Sequence, residues 1–381
     1  MLRRWSDSET MTLRPMRHLY LHVPFCARRC SYCDFSIAVR STVPVETYIE
    51  SIGLEIARHD TTHWDLDTIY LGGGTPSLLG AGVATILRMI RDNASVSHNA
   101  EVTIEANPDD VTPDNATAWA RAGIGRVSLG AQSFDPGVLE WMHRTHSADQ
   151  IGTAVATLRA AGIANVSIDL IFALPESLSR DWSADLDRAL GLEPQHISLY
   201  GLTIEPHTPL GRWRDRGQVV EAPEERYETE FMIAHERLGT AGFEHYEVSN
   251  FAPPGRRSRH NSSYWSGESY TGLGPSAHSF DGEVRSWNVS AHADWERRLR
   301  SGESVVAESE SLSEENRLSE RVYLGLRTTD GLQATDAEIA LARPWVDAGW
   351  AEITNRTIVL TASGFLRLDA LAASLTLAGS R

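Results

Sequence analysis

Short apolar, β-branched runs recur through the first half of the chain, at residues 18–23, 68–71, 101–105, 126–129, 165–171 and 196–200. Each run ends in small or polar residues, as a buried strand does where it meets a loop. The stretches between them carry helical spacing. Residues 45–59 place Tyr48, Ile49, Ile52 and Ile56 on one side, and residues 80–91 do the same with Val83, Ile86, Leu87 and Ile90. Residues 149–161 are rich in Ala and Leu and stop at Gly162, a residue suited to closing a helix. Strands alternating with amphipathic helices predict an α/β fold with a parallel sheet. Six such units predict an open, partial (β/α)6 barrel rather than a closed barrel of eight.

The pattern changes near residue 301. Residues 301–314 are acidic and serine-rich and read as a linker or exposed loop. Beyond them, 315–326 and 341–350 read as helices, 357–360 as a strand and 366–377 as a final helix, together a small α-rich C-terminal domain. The predicted organisation is an N-terminal tail (1–15), a barrel with an extension (16–300), a linker (301–314) and the C-terminal domain (315–381).

Composition narrows the function. Hydrophobic residues make up 41% and charged residues 23%, as in ordinary globular proteins. Apolar runs fall short of the ~18 residues that span a bilayer. Arg3 and Arg4 lead into polar residues rather than an export segment, so the chain is expected in the cytoplasm, with at most peripheral membrane contact. A net charge of -16 argues against nucleic-acid partners. The sequence contains no lysine, which excludes Schiff-base and phosphate-loop lysine chemistry.

All 3 cysteines fall in one loop after the first strand, as Cys26-x3-Cys30-x2-Cys33. Thiolates bind iron–sulfur clusters, and three of them hold three irons of a cubane while the fourth iron stays open. Arg28 and Arg29 between the first two thiols would favour the thiolate forms. A structural zinc with His22 or Asp34 as fourth ligand is the alternative.

Gly72-Gly73-Gly74-Thr75-Pro76 is either a tight βα turn or a place where backbone approaches a ligand. Glu105, Gln132 and Asp169 stand at strand ends, where α/β folds bind ligands, although such residues also cap helices. Arg144 is an anion partner or a surface charge. In His260-Asn261-Ser262-Ser263-Tyr264-Trp265, an imidazole able to ligate iron precedes two broad aromatic faces; equally, His260 could bond backbone while the aromatics fill the barrel mouth.

The stretch Tyr20-Leu-His-Val-Pro-Phe-Cys-x3-Cys-x-Tyr-Cys-Asp-Phe35 resembles the radical S-adenosylmethionine (SAM) signature of the HemN/HemW group. That group comprises the oxygen-independent coproporphyrinogen III oxidases and their haem-chaperone relatives. The resemblance runs from about Tyr20 into the C-terminal segment. It implies a [4Fe–4S] cluster on Cys26, Cys30 and Cys33, with Tyr20 and Tyr32 nearby. It implies SAM held by Gly73, Gly74 and Thr75 at its methionine portion, by Gln132 and Asp169 at the ribose, and by Arg144 at the carboxylate. Glu105 would take the ammonium or a ribose hydroxyl. An electron donor would reduce the cluster, and SAM would yield methionine and a 5′-deoxyadenosyl radical. Residues 173–175 match the stretch that passes near adenine, with Ala173 where many relatives carry Gly.

Two departures separate the chain from the oxidases. They carry a further cysteine two positions after the third ligand, where this chain has Phe35, and a longer N-terminal arm. Both departures match the HemW branch, whose members resemble haem chaperones. In that branch His260, Tyr264 and Trp265 fit an HNxxYW haem motif. The implied cargo is haem, and the implied partners are haem-accepting respiratory proteins. The alternative is an oxygen-independent coproporphyrinogen III oxidase or dehydrogenase of porphyrin biosynthesis, so whether the chain is an enzyme stays open. His278, beside a glycine turn, fits the family without an assigned role.

Overall fold

The computed structural model describes residues 15–379, so the predicted N-terminal tail lies outside the described residues except for Pro15. Six strands run parallel and adjacent in chain order: β1 (Met16–Val23), β2 (Trp64–Gly73), β3 (Ser95–Ala106), β4 (Arg126–Gln132), β5 (Asn165–Phe172) and β6 (His196–Gly201). Along β1, Leu19, Leu21 and Val23 are fully buried and alternate with His18, Tyr20 and His22 on the other face. Helices cover the aliphatic face, and Tyr48, Ile52, Ile86 and Leu87 join Leu19, Leu21, Ile69 and Ile104 in one core. Helix Ala148–Ala160 starts on a Ser147/Gln150 capping box, and the chain turns at Gly162 with φ +94°, where only glycine is unstrained.

The sheet does not close, in agreement with the partial barrel. Beyond β6 it continues through β8 (Asn250–Ala252) to β7 (Glu244–Glu247). Beyond β1 lies a wing absent from the sequence reading: β9 (Tyr270–Leu273), β10 (His278–Phe280), β11 (Val284–Asn288) and β12 (Val306–Ser311), twelve strands in all. Much of the expected linker is therefore structured. Ser301 ends helix His292–Ser301, and residues 306–311 pair with β11 as an edge strand exposed along its whole length. With both faces in water such a strand shows no apolar alternation, and its glutamates discourage further pairing.

The C-terminal segment is richer in strand than expected. Helices Glu314–Leu326, Asp336–Asp347, Ala362–Phe365 and Leu368–Gly379 accompany a small sheet of β13 (Leu332–Gln333), β14 (Ala351–Thr354) and β15 (Thr357–Leu360). Leu326, Trp345, Ile358 and Phe365 belong to the same buried core as the barrel residues. Among the described residues no helix is long and apolar enough to cross a membrane.

Candidate functional site

The cysteine loop leaves the carboxyl end of β1 and is pinned along its length. Residues Phe25–Cys26 pair in parallel with Ala38–Val39. Ser31 N–H donates to the Met142 carbonyl (3.2 Å), and the Ser31 carbonyl accepts from Leu210 N–H (2.8 Å). Gly74 N–H donates to the Val23 carbonyl at 2.8 Å, which draws the glycine turn against the loop. A Cβ on Gly74 would stand 2.7 Å from the Phe25 carbonyl oxygen and 3.1 Å from Cys26 Sγ. Gly74→Ala is thus expected to push the cysteine loop outward. Reconstituted iron per chain should fall several-fold while the far-ultraviolet dichroism stays unchanged.

A cavity of about 320 Å³ opens at this end of the barrel. All three thiols and Tyr32 line it. So do Gly73, Gly74 and Thr75 from the end of β2, Glu105, Gln132 and Asp169 from the next three strands, and Arg144. Parallel strands ending at a common edge bring these residues together, as α/β folds do for their ligands. Tyr20 is the exception. It stands beneath the cavity, with its hydroxyl 3.1 Å from His22 Nδ1 and its ring stacked on Tyr70.

The two carboxylates are held from below. Tyr70 Oη donates to Glu105 Oε1 (2.8 Å) and Gly73 N–H to Oε2 (3.1 Å); burial, against these hydrogen bonds, brings the Glu105 carboxyl up to about 7. Ser128 Oγ lies 3.0 and 2.8 Å from the two Asp169 oxygens, and burial raises this carboxyl too. Gln132 (φ 68°) and His143 (φ 59°), both at the cavity wall, occupy the left-handed region that non-glycine residues seldom enter. Ala173 does the same at φ 55°, which explains why glycine suits that position.

Burial pushes the Cys26 thiol up and the Cys33 thiol up to about 11. The expected thiolate support from Arg28 and Arg29 is therefore outweighed by desolvation. Arg29 Nη1 donates to the Cys33 carbonyl (3.4 Å), and the guanidinium that meets sulfur is Arg144, with Nη1 3.3 Å from Cys30 Sγ. Arg144 Nη2 also donates to Asn107 Oδ1 (2.6 Å) and the Gly130 carbonyl (2.9 Å), while its buried Nε has no partner. Thr75 Oγ1 lies 3.3 Å from Cys26 Sγ. This donor set suits an anionic iron–sulfur cluster: sulfur ligands, a guanidinium and a hydroxyl aimed at sulfur, and an unsatisfied N–H nearby. Among the described residues no group of three or more His, Cys, Asp or Glu side chains is placed to hold a single metal ion.

Sequence reasoning missed Tyr70, Asn107 and Ser128. Period-two alternation back from Gln132 reaches Gly130 and Ser128, and forward from Glu105 it reaches Asn107, so the signal was present.

The HNxxYW segment forms helix Arg259–Trp265 and lies elsewhere. His260 is 1% exposed, with Nδ1 2.6 Å from Thr68 Oγ1 and Nε2 2.9 Å from the Tyr264 hydroxyl, and its ring stacks on Tyr70 at 5.0 Å. Thr68 in turn meets His18 Nδ1 (2.9 Å), and His18 Nε2 meets Glu268 Oε2 (2.8 Å). Burial lowers the His260 pKa to about 3, so the ring is neutral. Both ring nitrogens of His260 are engaged by hydrogen bonds, so ligating an iron would require one of these bonds to open. Tyr264 and Trp265 instead line a second cavity of about 590 Å³, between the wing and the C-terminal helices.

Residues 20–188 match the model of the radical SAM superfamily. The chain is 36% identical over 369 residues to the haem chaperone HemW of Mycobacterium tuberculosis strain H37Rv, covering 94% of each. The chain belongs to the HemW family. HemW of Synechocystis is 37% identical over 352 residues (87% of this chain, 85% of that one). Escherichia coli coproporphyrinogen III oxidase (HemN), a radical SAM enzyme, superposes with a TM-score of 0.81 over 95% of this chain and 90% of its own, at 21% identity. That likeness concerns the fold. Membership of the HemW family and the radical SAM superfamily implies an iron–sulfur cluster and SAM, for which the 320 Å³ cavity is the candidate place.

Proposed function

We propose that this protein is a haem chaperone that holds a [4Fe–4S] cluster on Cys26, Cys30 and Cys33, binds SAM beside it and carries haem to respiratory haem proteins in the cytoplasm. The observation that carries the reading is one cavity shared by three thiols, a guanidinium on sulfur and strand-end carboxylates, in a chain 36% identical to HemW across nearly its whole length. Phe35, 58% exposed, occupies the position of the oxidases' additional cysteine and offers no thiol there, which favours carriage over porphyrinogen oxidation.

When bound and reduced by an electron donor, the cluster supplies an electron to SAM. The chain's own residues orient the cofactor. Arg144 faces the carboxylate, the Gly73–Gly74 backbone lets the methionine portion approach, and Gln132 and Asp169 face the ribose. Glu105 in its ionised form faces the ammonium.

Glu105 makes the SAM step pH-dependent. Its carboxyl titrates near 7 in the fold against about 4.5 when unfolded, so rising pH between those values lowers the stability of the SAM-free protein. Ionised Glu105 is the binding form, so SAM affinity should rise from about pH 6 to 7, by up to about tenfold per unit, with a proton released. Calorimetry in buffers of different ionisation enthalpy measures both quantities, and Glu105→Gln should abolish the slope.

The test of function is an anaerobic haemin titration of cluster-loaded protein followed at the Soret band. Saturable one-to-one binding without coproporphyrinogen turnover is expected. Absence of specific haemin binding together with turnover would make the protein an oxidase.

A further inference from the structure

The second cavity has the walls for a flat apolar ring and one free nitrogen base. In the wing, Tyr270 pairs with Phe280 and Phe280 with Arg285, while His278 pairs with Trp287. Side chains two apart share a face of a strand, so His278 and Phe280 stand on the same side as Tyr270, and all three line the cavity. Tyr264 and Trp265 close it from the helix, and Tyr323 from the C-terminal segment. Gly272 lets the His278 backbone close on β9: a Cβ there would stand 2.1 Å from the His278 carbonyl oxygen. About 590 Å³ is within the ordinary size of cofactor sites.

Resting on the haem-carrier reading, we propose that haem is held in this second cavity, between the wing and the C-terminal helices, with the His278 imidazole rather than His260 as its iron ligand. Among the described residues no hydrogen bond engages the His278 ring, whereas both nitrogens of His260 are taken. The His278 ring stacks on Trp287 (5.6 Å, 25° between planes), which fixes its direction as an outer partner fixes a ligating imidazole. Arg285 already meets Glu320 (2.8 Å) and Glu310 (3.5 Å), so the porphyrin carboxylates stay in water and the hold comes from the aromatic walls and the iron. His260 is then a positioning residue, holding the Tyr264 ring against the cargo through the 2.9 Å hydrogen bond.

The experiment is haemin titration of full-length, cluster-loaded wild type, His278→Ala and Ala373→Trp, with Soret position, affinity and electron paramagnetic resonance of the ferric iron as readouts. Ala373 is exposed and lines the cavity, so tryptophan there obstructs it without entering the core. The expected results are at least tenfold weaker binding and an altered ferric spectrum for His278→Ala, restoration of that spectrum by free imidazole, and at least tenfold weaker binding for Ala373→Trp. Wild-type affinity and spectrum in His278→Ala would overturn His278 as the ligand, and undiminished binding in both variants would overturn the cavity as well. Failure of the wild type itself to bind haemin would instead overturn the carrier reading.

Discussion

Replacing any one of Cys26, Cys30 or Cys33 by serine is expected to abolish the cluster. Iron and acid-labile sulfide in anaerobically reconstituted protein should fall from about four per chain to less than one. A cubane with only two protein thiolates left loses a ligand that nothing nearby replaces. Of the sulfur-facing groups in this cavity, Arg144 has no lone pair to offer, and the neutral Thr75 hydroxyl is a far weaker iron ligand than a thiolate. The fold should survive each substitution, because the loop is held by the Ser31 backbone bonds and the 25–26/38–39 pairing rather than by metal. Unchanged melting of the metal-free protein alongside lost iron is the expected pair of results. Retention of a full cluster by any of the three variants would remove that cysteine from the ligand set.

The candidate SAM cavity was readable from sequence because its residues sit at ends of consecutive parallel strands, and that topology brings strand ends together whatever the loops do. Glu105, Gln132 and Asp169 needed only the six β runs to be found correctly. Depth along a strand is harder to read. Tyr20 shares a face with the site, yet period-two alternation does not show that it lies a layer beneath the cavity. The wing was missed for a different reason. Its strands are 3 to 6 residues long, and Gly272-Leu273-Gly274 carries the composition of a turn. Glycine at 272 answers instead to the close approach of the His278 carbonyl within the sheet. The acidic 306–311 strand shows the same limit from the other side, since an edge in water has no buried face to mark it.

His260→Ala is expected to act on stability before it acts on haem. The substitution leaves the Thr68 hydroxyl without its 2.6 Å partner and the Tyr264 hydroxyl without its 2.9 Å partner, both in the barrel interior, and removes a ring stacked on Tyr70. Two buried groups losing partners, plus the space left behind, should cost about 2–4 kcal/mol in urea unfolding. Hydrogen bonding makes the residues a unit: Tyr264 donates to His260 Nε2, His260 Nδ1–H to Thr68, Thr68 to His18 Nδ1, and His18 Nε2–H to Glu268, an assignment in which every link is satisfied. Thr68→Val should consequently destabilise by a similar mechanism, and the double variant should fall short of the sum because the two residues share one chain. Haemin bound by His260→Ala under conditions where it remains folded should keep the wild-type Soret position, with affinity reduced only as far as Tyr264 loses its orientation. A variant of undiminished stability with an altered Soret band would show the opposite, that this imidazole leaves the barrel interior to reach the iron.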